Sequence, residues 1–215
     1  MAAEQPPRQR RPPLKRSTLG GQLKREFMSD RIDQIVNDLE QVTRSTQAAF
    51  RRLSNEQLNW KPASKSWSLA QCLDHLITIN RLYFPLLESL KTGPSKLTLW
   101  ERYSPLSGVL GKILIKTLSP EHPKKMKTSS KAEPFVSQID DGIVDRFVQH
   151  QTELIGHLRK IPFSVDQKKV IITSPLLRWV TYSLDDCITI LAVHEKRHFL
   201  QARRVMEADG FPESG

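Results

Sequence analysis

Two histidines near the end of the chain have the spacing of a metal-ligand pair. His194 and His198 are four residues apart, so on a helix their side chains project from the same face on successive turns, and both imidazoles could reach one ion. Their neighbours at helical steps, among them Leu191 and Val205, are apolar. The pattern therefore predicts that both rings point into the interior of a helical protein, where two imidazoles need a partner.

His75 is a third histidine of this kind, because it is in line with Ile79 and Leu82 at the margin of an earlier apolar helical stripe. Three neutral imidazoles from two facing helices would form a half-shell that leaves positions open for water or substrate, as in catalytic metal sites. For each histidine taken singly, packing in the core without metal is the alternative. The three remaining histidines are His122, His150 and His157. Solvent-exposed positions explain them more simply than metal-ligand roles do.

The five residues from His194 to His198 read His-Glu-Lys-Arg-His, a formal match to the zinc-protease pattern H-E-x-x-H, in which the Glu activates water. Such proteases need a third ligand, commonly well downstream, yet only 17 residues follow His198. The carboxylates among those residues are Glu207, Asp209 and Glu213. The sequence also lacks convincing strands along which a peptide could align. The protease interpretation is therefore rejected.

Four further residues are candidates for the surroundings of the ion. Glu195 directly follows a ligand and could act as a general base or orient a water molecule, with a surface carboxylate as the alternative. Asn80 and Gln201 lie on inward-facing stripes and could hydrogen-bond a substrate or a ligand, with a satisfied buried amide as the alternative. Trp67 could form a wall of the metal pocket or simply pack against the helix that follows it.

Four long amphipathic helices could position these side chains. Apolar residues recur at three- and four-residue steps in four stretches, which run from Ile32 to Leu53, from Leu69 past Leu87, from Glu133-Pro134 to Leu158, and from Ser183 to Val205. Ser66 or Ser68 can cap the second helix, and Thr92-Gly93-Pro94 closes it. The predicted fold is all-α, a four-helix bundle with a crossover insertion between helices two and three.

The insertion covers residues 95–131 and is less regular. We expect one or two short helices in it, packed across the end of the bundle. A membrane-surface or partner-docking role for the stretch from Leu97 to Leu118 is the alternative, because this stretch is amphipathic in places.

The net charge of +10 is unevenly distributed. Residues 1–27 hold seven Lys and Arg against two Glu, and residues 112–131 hold six Lys against one Glu, so these two stretches supply the whole excess. We expect a disordered basic tail over residues 1–27, a bundle domain over residues 28–209 and a flexible C-terminus over residues 210–215. Solvated charge is the simpler meaning of the two basic stretches, docking on an anionic partner is the alternative, and nucleic-acid binding by the core is not expected.

Cys72 and Cys187, the only two cysteines, each lie within an apolar helical pattern, which indicates reduced, packed thiols. No apolar run approaches the roughly 20 residues that a membrane-spanning helix needs, and the basic N-terminus lacks the apolar segment of a signal peptide. The sequence therefore predicts a cytoplasmic protein without a transmembrane segment.

Two segments of the chain together resemble a known family, and they read Trp67-Ser-Leu-Ala-Gln-Cys-Leu-Asp-His75-Leu and His194-Glu-Lys-Arg-His198-Phe-Leu-Gln201. In the DinB/YfiT-like metal-binding bundles, a tryptophan-containing lead-in and a histidine on helix two accompany H-x-x-x-H on the final helix. The resemblance covers roughly residues 28–209. It implies a four-helix bundle, often a homodimer, with a zinc, nickel or similar divalent ion held by His75, His194 and His198.

Members of this family include S-transferases and isomerases that use low-molecular-weight thiols, and many others are described as metal-dependent hydrolases without an established substrate. The resemblance thus implies a transferase, thiol-dependent in some relatives, or a hydrolase of a small-molecule substrate. In either case the ion would acidify a water molecule or bind a thiolate. The alternative is a non-catalytic metal-binding or interaction module whose basic tail and loop dock on an anionic partner.

Overall fold

The structure is a computed structural model that describes residues 16–92, 98, 100, 101, 104, 106–121 and 138–213, with side chains from residue 30 onward. The described chain is mostly helical. Its elements in order are α1 (Arg16–Phe50), α2 (Asn55–Asn59), α3 (Leu69–Arg81), α4 (Phe84–Ser89), a 3-10 turn (Leu90–Thr92), α5 (Ser107–Leu118), α6 (Ile143–Arg159), β1 (Ile171–Thr173), β2 (Thr181–Ser183) and α7 (Leu184–Met206). Among these described helices, none combines the length and the apolar character needed to cross a membrane.

Four long helices, α1, α3, α6 and α7, build the bundle. α1 and α3 each pack against both α6 and α7. Their apolar stripes meet in a core whose fully buried members include Leu39, Leu73, Phe147, Leu154 and Ile188. Burying a side chain of this size contributes about 1.5–3 kcal/mol, so the core fixes the relative positions of the helices that carry the predicted ligands. The predicted all-α helical bundle is confirmed.

α3, which carries His75, begins where the sequence predicts a cap. The Ser68 hydroxyl accepts a hydrogen bond from the Gln71 N–H at 3.2 Å, and the Gln71 side chain accepts one from the Ser68 N–H at 3.1 Å. The helix ends at Arg81, although the apolar stripe predicts that it continues past Leu87. Pro85 explains the difference, because it has no N–H to donate to the Arg81 carbonyl and its ring crowds that carbonyl. The chain restarts as α4, with Pro85 in the first turn.

α1 is longer than the sequence predicts. It begins at Arg16, so residues 16–27 are helical where a disordered tail is expected. Extending an existing helix by one residue costs far less free energy than starting a new one, and no proline interrupts residues 16–50. The rest of the predicted tail, residues 1–15, lies outside the described residues.

α6 begins at Ile143 and not near Glu133-Pro134. Residues 133–137 lie outside the described residues, but residues 138–142 are described and are not helical. The Gly142 N–H donates to a carboxylate oxygen of Asp140 at 3.0 Å, and this local bond replaces a helical one. The Asp-Asp-Gly turn therefore sets the start of the helix.

A short antiparallel hairpin separates α6 from α7. Ile171–Thr173 pairs with Thr181–Ser183, which corrects the expectation that the chain has no strands. The hairpin is anchored by Tyr182, which is buried in the core. Ser183 then caps α7, because its side chain accepts a hydrogen bond from the Asp186 N–H at 3.0 Å.

α5 belongs to the predicted insertion and packs against α7 and β2. Gly111 permits the close approach, since a Cβ atom at this position would lie 2.5 Å from Oδ2 of Asp186. The Arg197 side chain of α7 donates to the carbonyl oxygens of Thr117 at 3.2 Å and Ser119 at 3.4 Å, at the end of α5. The helix is thus fixed along its length. The basic loop that follows, residues 122–131, lies outside the described residues.

The C-terminal residues pack on the bundle near α2. The ring of Phe211 meets that of Trp60 edge-on, with centroids 5.6 Å apart, and the Gln57 side-chain amide donates to the Pro212 carbonyl at 2.9 Å. Residues 210–213 are therefore held in place where a flexible end is predicted, while residues 214 and 215 lie outside the described residues.

Candidate metal centre

α3 and α7 bring the three predicted histidines together. α3 contributes His75, α7 contributes His194 and His198, and each is more than nine-tenths buried. The Nε2 atoms of His75 and His194 are 3.3 Å apart, and those of His194 and His198 are 3.0 Å apart. Ligand atoms from all three side chains lie within 4.8 Å of one another. The three imidazoles therefore converge on one point between the two helices.

The nitrogen spacing fits a divalent metal ion. With metal–nitrogen bonds of about 2.1 Å, neighbouring ligand nitrogens are roughly 3.0–3.4 Å apart, and the two Nε2 distances of 3.3 and 3.0 Å match. Hydrogen bonding alone suits the cluster poorly, because Nε2 of His194 faces two other ring nitrogens but carries either one N–H or one lone pair. An ion would instead accept a lone pair from each ring, and the all-imidazole donor set suits zinc and nickel among other metals.

Burial keeps the imidazoles in the neutral form that binds metal. Desolvation lowers the pKa of His194 to about 3, and the nearby His75 ring and the Arg197 guanidinium add smaller contributions in the same direction. The pKa of His198 is held well below its usual value, first by desolvation and then by the neighbouring His194 and His75 rings. At neutral pH both rings on α7 therefore present lone pairs.

Two of the predicted surrounding residues lie at this cluster. The indole ring of Trp67 stacks on His198 with centroids 5.6 Å apart and planes 15° apart, and its centroid is 4.8 Å from that of His75. Because Trp67 immediately precedes the Ser68 cap, the start of α3 also fixes the indole. Gln201 lies on the next turn after His198, and its side chain partly offsets the fall in the pKa of His198.

The other two predicted residues, Glu195 and Asn80, form a separate buried cluster. Glu195 is fully buried, and its Oε1 accepts a hydrogen bond from Nδ2 of Asn80 at 2.7 Å, while its Oε2 accepts one from Nε2 of Gln151 on α6. Desolvation raises the pKa of Glu195 to about 8, against the opposing effect of the two amide donors. The alternative of a surface carboxylate is therefore wrong. Within the described residues, the potential ligand group around His75 contains no carboxylate.

Gln151 is the member of this second cluster that the sequence analysis misses. It is in line with Phe147, Leu154 and Leu158 on the inward stripe of α6, and all four side chains are buried. A polar residue on an otherwise apolar stripe is the signal that could have identified it, because a buried amide needs a partner.

Two of the remaining histidines correct the expectation of solvated positions. His150 is 1% exposed, stacks on Phe84 with ring centroids 5.2 Å apart, and has no hydrogen-bond partner at either ring nitrogen. Nδ1 of His157, whose side chain is 20% exposed, lies 3.3 Å from a carboxylate oxygen of Glu88. Packing of α4 against α6 covers both rings. His122 lies outside the described residues.

Family comparison agrees with both the fold and the site. The family model described as the DinB superfamily matches residues 38–202, a range that includes all three clustered histidines and more than half of the chain. Comparisons with curated proteins and with solved structures found no match. The matched range, the helical bundle and the buried three-histidine group together fit a metal-binding helical protein. The chain belongs to the DinB superfamily.

Proposed function

We propose that this protein is a metal-dependent enzyme that acts on a small-molecule substrate, either as a transferase that uses a low-molecular-weight thiol or as a hydrolase. One divalent ion, zinc or nickel, is held by His75, His194 and His198. The observation that carries the proposal is the convergence of three buried imidazoles with Nε2 distances of 3.0 and 3.3 Å. Three protein ligands leave coordination positions free for reactants, whereas structural zinc sites are usually closed by four.

The residues of the chain hold the ion and shape its surroundings. A bound ion supplies Lewis-acid chemistry that acidifies a water molecule or a thiol. Trp67 lays an apolar ring over His75 and His198, which limits the access of water and offers a stacking surface to an apolar part of a substrate. The amide of Gln201, beside His198, can bind a polar group of the substrate.

The state of the two cysteines supports an external thiol in the transferase version. Cys72 and Cys187 are fully buried, and burial raises the pKa of Cys72 to about 12 and that of Cys187 further. A thiolate is the reactive form of a thiol, so neither side chain is suited to act as the nucleophile. The nucleophile of a thiol-transfer reaction would therefore have to come from a cosubstrate.

For Glu195 we propose a positioning role in place of the predicted general base. Its carboxylate joins α7 to Asn80 of α3 and to Gln151 of α6, and it immediately follows the ligand His194. A carboxyl group hydrogen-bonded to two buried amides fixes how far α7 is rotated about its axis. That rotation decides where the imidazoles of α7 point.

The proposal also includes a cellular location and an oligomeric state. A cytoplasmic location is supported by the free, buried state of both cysteines, which suits a reducing compartment. A homodimer is supported by the family membership alone, and light scattering on the purified chain would test it.

A non-catalytic metal-binding module is the second candidate. It is favoured by one observation, namely that the potential ligand group of the described residues contains no carboxylate that could act as a base beside the ion. Substrate turnover by the metal-loaded protein separates the two candidates.

The test combines metal analysis with activity. We would measure bound metal in the untagged wild type, in His75→Ala and in a control, His150→Phe, which changes a buried histidine outside the cluster. Loaded and metal-free proteins would then be assayed with chromogenic esters, and with glutathione plus an electrophile. We expect near-stoichiometric metal in wild type and control, loss in His75→Ala, and turnover only with metal.

Two results would contradict the proposal. Metal retained in His75→Ala would mean that the ion binds elsewhere. Stoichiometric metal without turnover in either assay would favour the non-catalytic module.

A further inference from the structure

Most of the large apolar side chains exposed by the described residues lie in two neighbouring segments. Eight such side chains are exposed, and six of them lie on α5, shortly before it, or in the turn of the hairpin: Trp100, Leu106, Val109, Ile113, Leu177 and Trp179. The other two are Leu82 and Phe163. Single exposed apolar residues are ordinary on soluble proteins, but a concentration of this size marks an interaction surface.

Direct contacts join the two segments into one surface. The rings of Trp100 and Trp179 meet edge-on, with centroids 6.3 Å apart. The hydroxyls of Ser104 and Thr181 are 2.6 Å apart, and α5 packs against β2. We call these six exposed apolar residues, together with the exposed Lys112, Lys116 and Arg178 beside them, the α5–hairpin surface.

The outward stripe of α5 is not part of the core. Leu114, Ile115 and Leu118 of the same helix already pack against the core. Val109 and Ile113 are each 53% exposed, four residues apart. Gly111 of α5 packs closely against α7, and Arg197 of α7 donates to carbonyl oxygens at the end of α5. These contacts prevent α5 from rotating this stripe inward. An apolar stripe that is held in solvent in this way is available to a partner.

The hairpin turn presents its tryptophan in the same manner. The Val180 N–H donates to the Leu177 carbonyl at 2.8 Å, which closes a tight turn around Arg178 and Trp179. Leu176 and Val180 on either side pack against the core, while Trp179 is 81% exposed. The turn is therefore anchored at both ends, and its tryptophan points into solvent.

The exposed charges next to these apolar residues are positive, and the one adjacent acid, Glu101, is half-buried and accepts two hydrogen bonds from Thr173. Lys112 and Lys116 are exposed on α5, and Arg178 is exposed beside Trp179. Residues 171–183 contain no acidic side chain. In the sequence beyond α5, residues 122–131 add four lysines and no acidic residue. The same face of a second copy of the protein is also positive and would be repelled. A surface of anionic phosphates would be attracted instead.

We propose that the α5–hairpin surface docks on the face of an anionic lipid bilayer without spanning it. Tryptophan is the side chain that favours the boundary between headgroups and acyl chains, and both exposed tryptophans lie on this surface. The aliphatic stripe enters the same boundary, and the lipid phosphates pair with Lys112, Lys116 and Arg178. The partner is a membrane surface, identified by its apolar depth and its negative charge.

Vesicle cosedimentation of the full chain tests the proposal. The vesicles are phosphatidylcholine mixed with phosphatidylserine, or phosphatidylcholine alone. We expect binding to the mixed vesicles that is roughly tenfold or more weaker without phosphatidylserine and that falls with added salt. The double variant Ile113→Ser/Trp179→Ser, and separately Lys112→Gln/Lys116→Gln, should each weaken binding by about tenfold or more.

Matched controls change the same chemistry elsewhere on the surface. Leu82→Ser/Phe163→Ser removes two exposed apolar side chains, and Lys65→Gln/Lys160→Gln removes two exposed charges. Both controls should bind as the wild type does. Tryptophan emission should shift to shorter wavelength with the mixed vesicles, and most of this shift should disappear in Trp179→Phe.

Three results would overturn the proposal. The first is no binding of the wild type to the mixed vesicles. The second is equal weakening in the control variants. The third is a wild-type oligomer that Val109→Asp converts to a monomer, since a second copy would then cover the α5–hairpin surface.

Discussion

His194 and Glu195 are adjacent on α7, and both are buried, yet their surroundings differ in kind. His194 meets two other imidazoles, each with a nitrogen directed at the same point. Glu195 meets two amides, and each of its oxygens accepts a hydrogen bond. One helix thus carries two buried polar clusters on two faces.

The difference shows which cluster is complete by itself. A carboxyl group whose two oxygens each accept from an amide has partners for both, so it can hold helices together without any ligand. Nε2 of His194 faces two other ring nitrogens but carries either one N–H or one lone pair, so hydrogen bonds alone leave this cluster incomplete, and it could hold an ion. We therefore expect changes at the imidazoles to affect metal binding, and changes at the carboxylate to affect stability.

The largest expected effect is on metal content. His194→Ala should lose essentially all bound metal, whereas Glu195→Gln, one residue away, should keep a near-stoichiometric amount by elemental analysis. The glutamine has the shape of the acid. Oδ1 of Asn80 and Oε1 of Gln151 have no partner, so either amide can rotate to accept from it. Loss of metal from Glu195→Gln would break the separation of the two clusters.

Metal removal should lower the stability of the wild type. An ion at about a thousand times its dissociation constant stabilises a native protein by roughly 4 kcal/mol. Urea unfolding with and without a chelator should show a loss of about this size in the wild type and none in His194→Ala. A chelator effect that persists in His194→Ala would place the stabilising ion outside the imidazole cluster.

Truncating the carboxylate should destabilise the fold while sparing the imidazoles. Glu195→Ala leaves a cavity and two buried amide donors without acceptors, so we expect a loss of about 2–4 kcal/mol in the free energy of unfolding. In the double variant Glu195→Ala/Asn80→Ala, the second change should add less than it costs alone, because the two side chains form one network. Strictly additive losses would show that the hydrogen bond carries no coupling energy.

The sequence predicts the bundle well because each long helix has an apolar stripe that only burial can satisfy. The errors occur where local chemistry ends an element inside such a stripe. Pro85 stops α3 although the apolar spacing continues, and the Asp140–Gly142 turn delays α6. The paired strands are only three residues long, too short for alternation of apolar and polar residues to identify them.

The candidate site was predictable to the extent that it follows from helix geometry. Residues four apart share a face, which predicts the convergence of His194 with His198. The same geometry separates neighbouring residues by about 100°, so Glu195 could not share the face of His194, and its cluster with Gln151 was deducible in principle. The burial of His150 could not be predicted in this way, because the side chain that covers it is Phe84, a residue of another helix.

His150 gives the smallest expected effect, and it sharpens the comparison because it is a buried imidazole without imidazole neighbours. Phe84 covers it, and the charged groups near it are Arg81 and, across the Phe84 ring, the His157–Glu88 pair. Desolvation, with a smaller contribution from Arg81, lowers its pKa to about 4 from 6.5. Between these values the unfolded chain binds the additional proton. The contribution of the neutral His150 to the free energy of unfolding is therefore fully present above about pH 6.5. It is lost as the pH falls towards 4, by roughly 3 kcal/mol in total.

The variant His150→Phe isolates this contribution, because all other titrating groups are the same in both proteins. It also replaces a ring with two unpaired buried nitrogens by an apolar ring that can stack on Phe84. In chelator, to remove any metal effect, unfolding free energies at several pH values should show a stability advantage of the variant that grows as the pH falls from about 6.5 to 4. A difference that stays constant over this range would mean that His150 is charged, or hydrated, in the folded protein. It would then no longer contrast with the neutral imidazoles that face one another between α3 and α7.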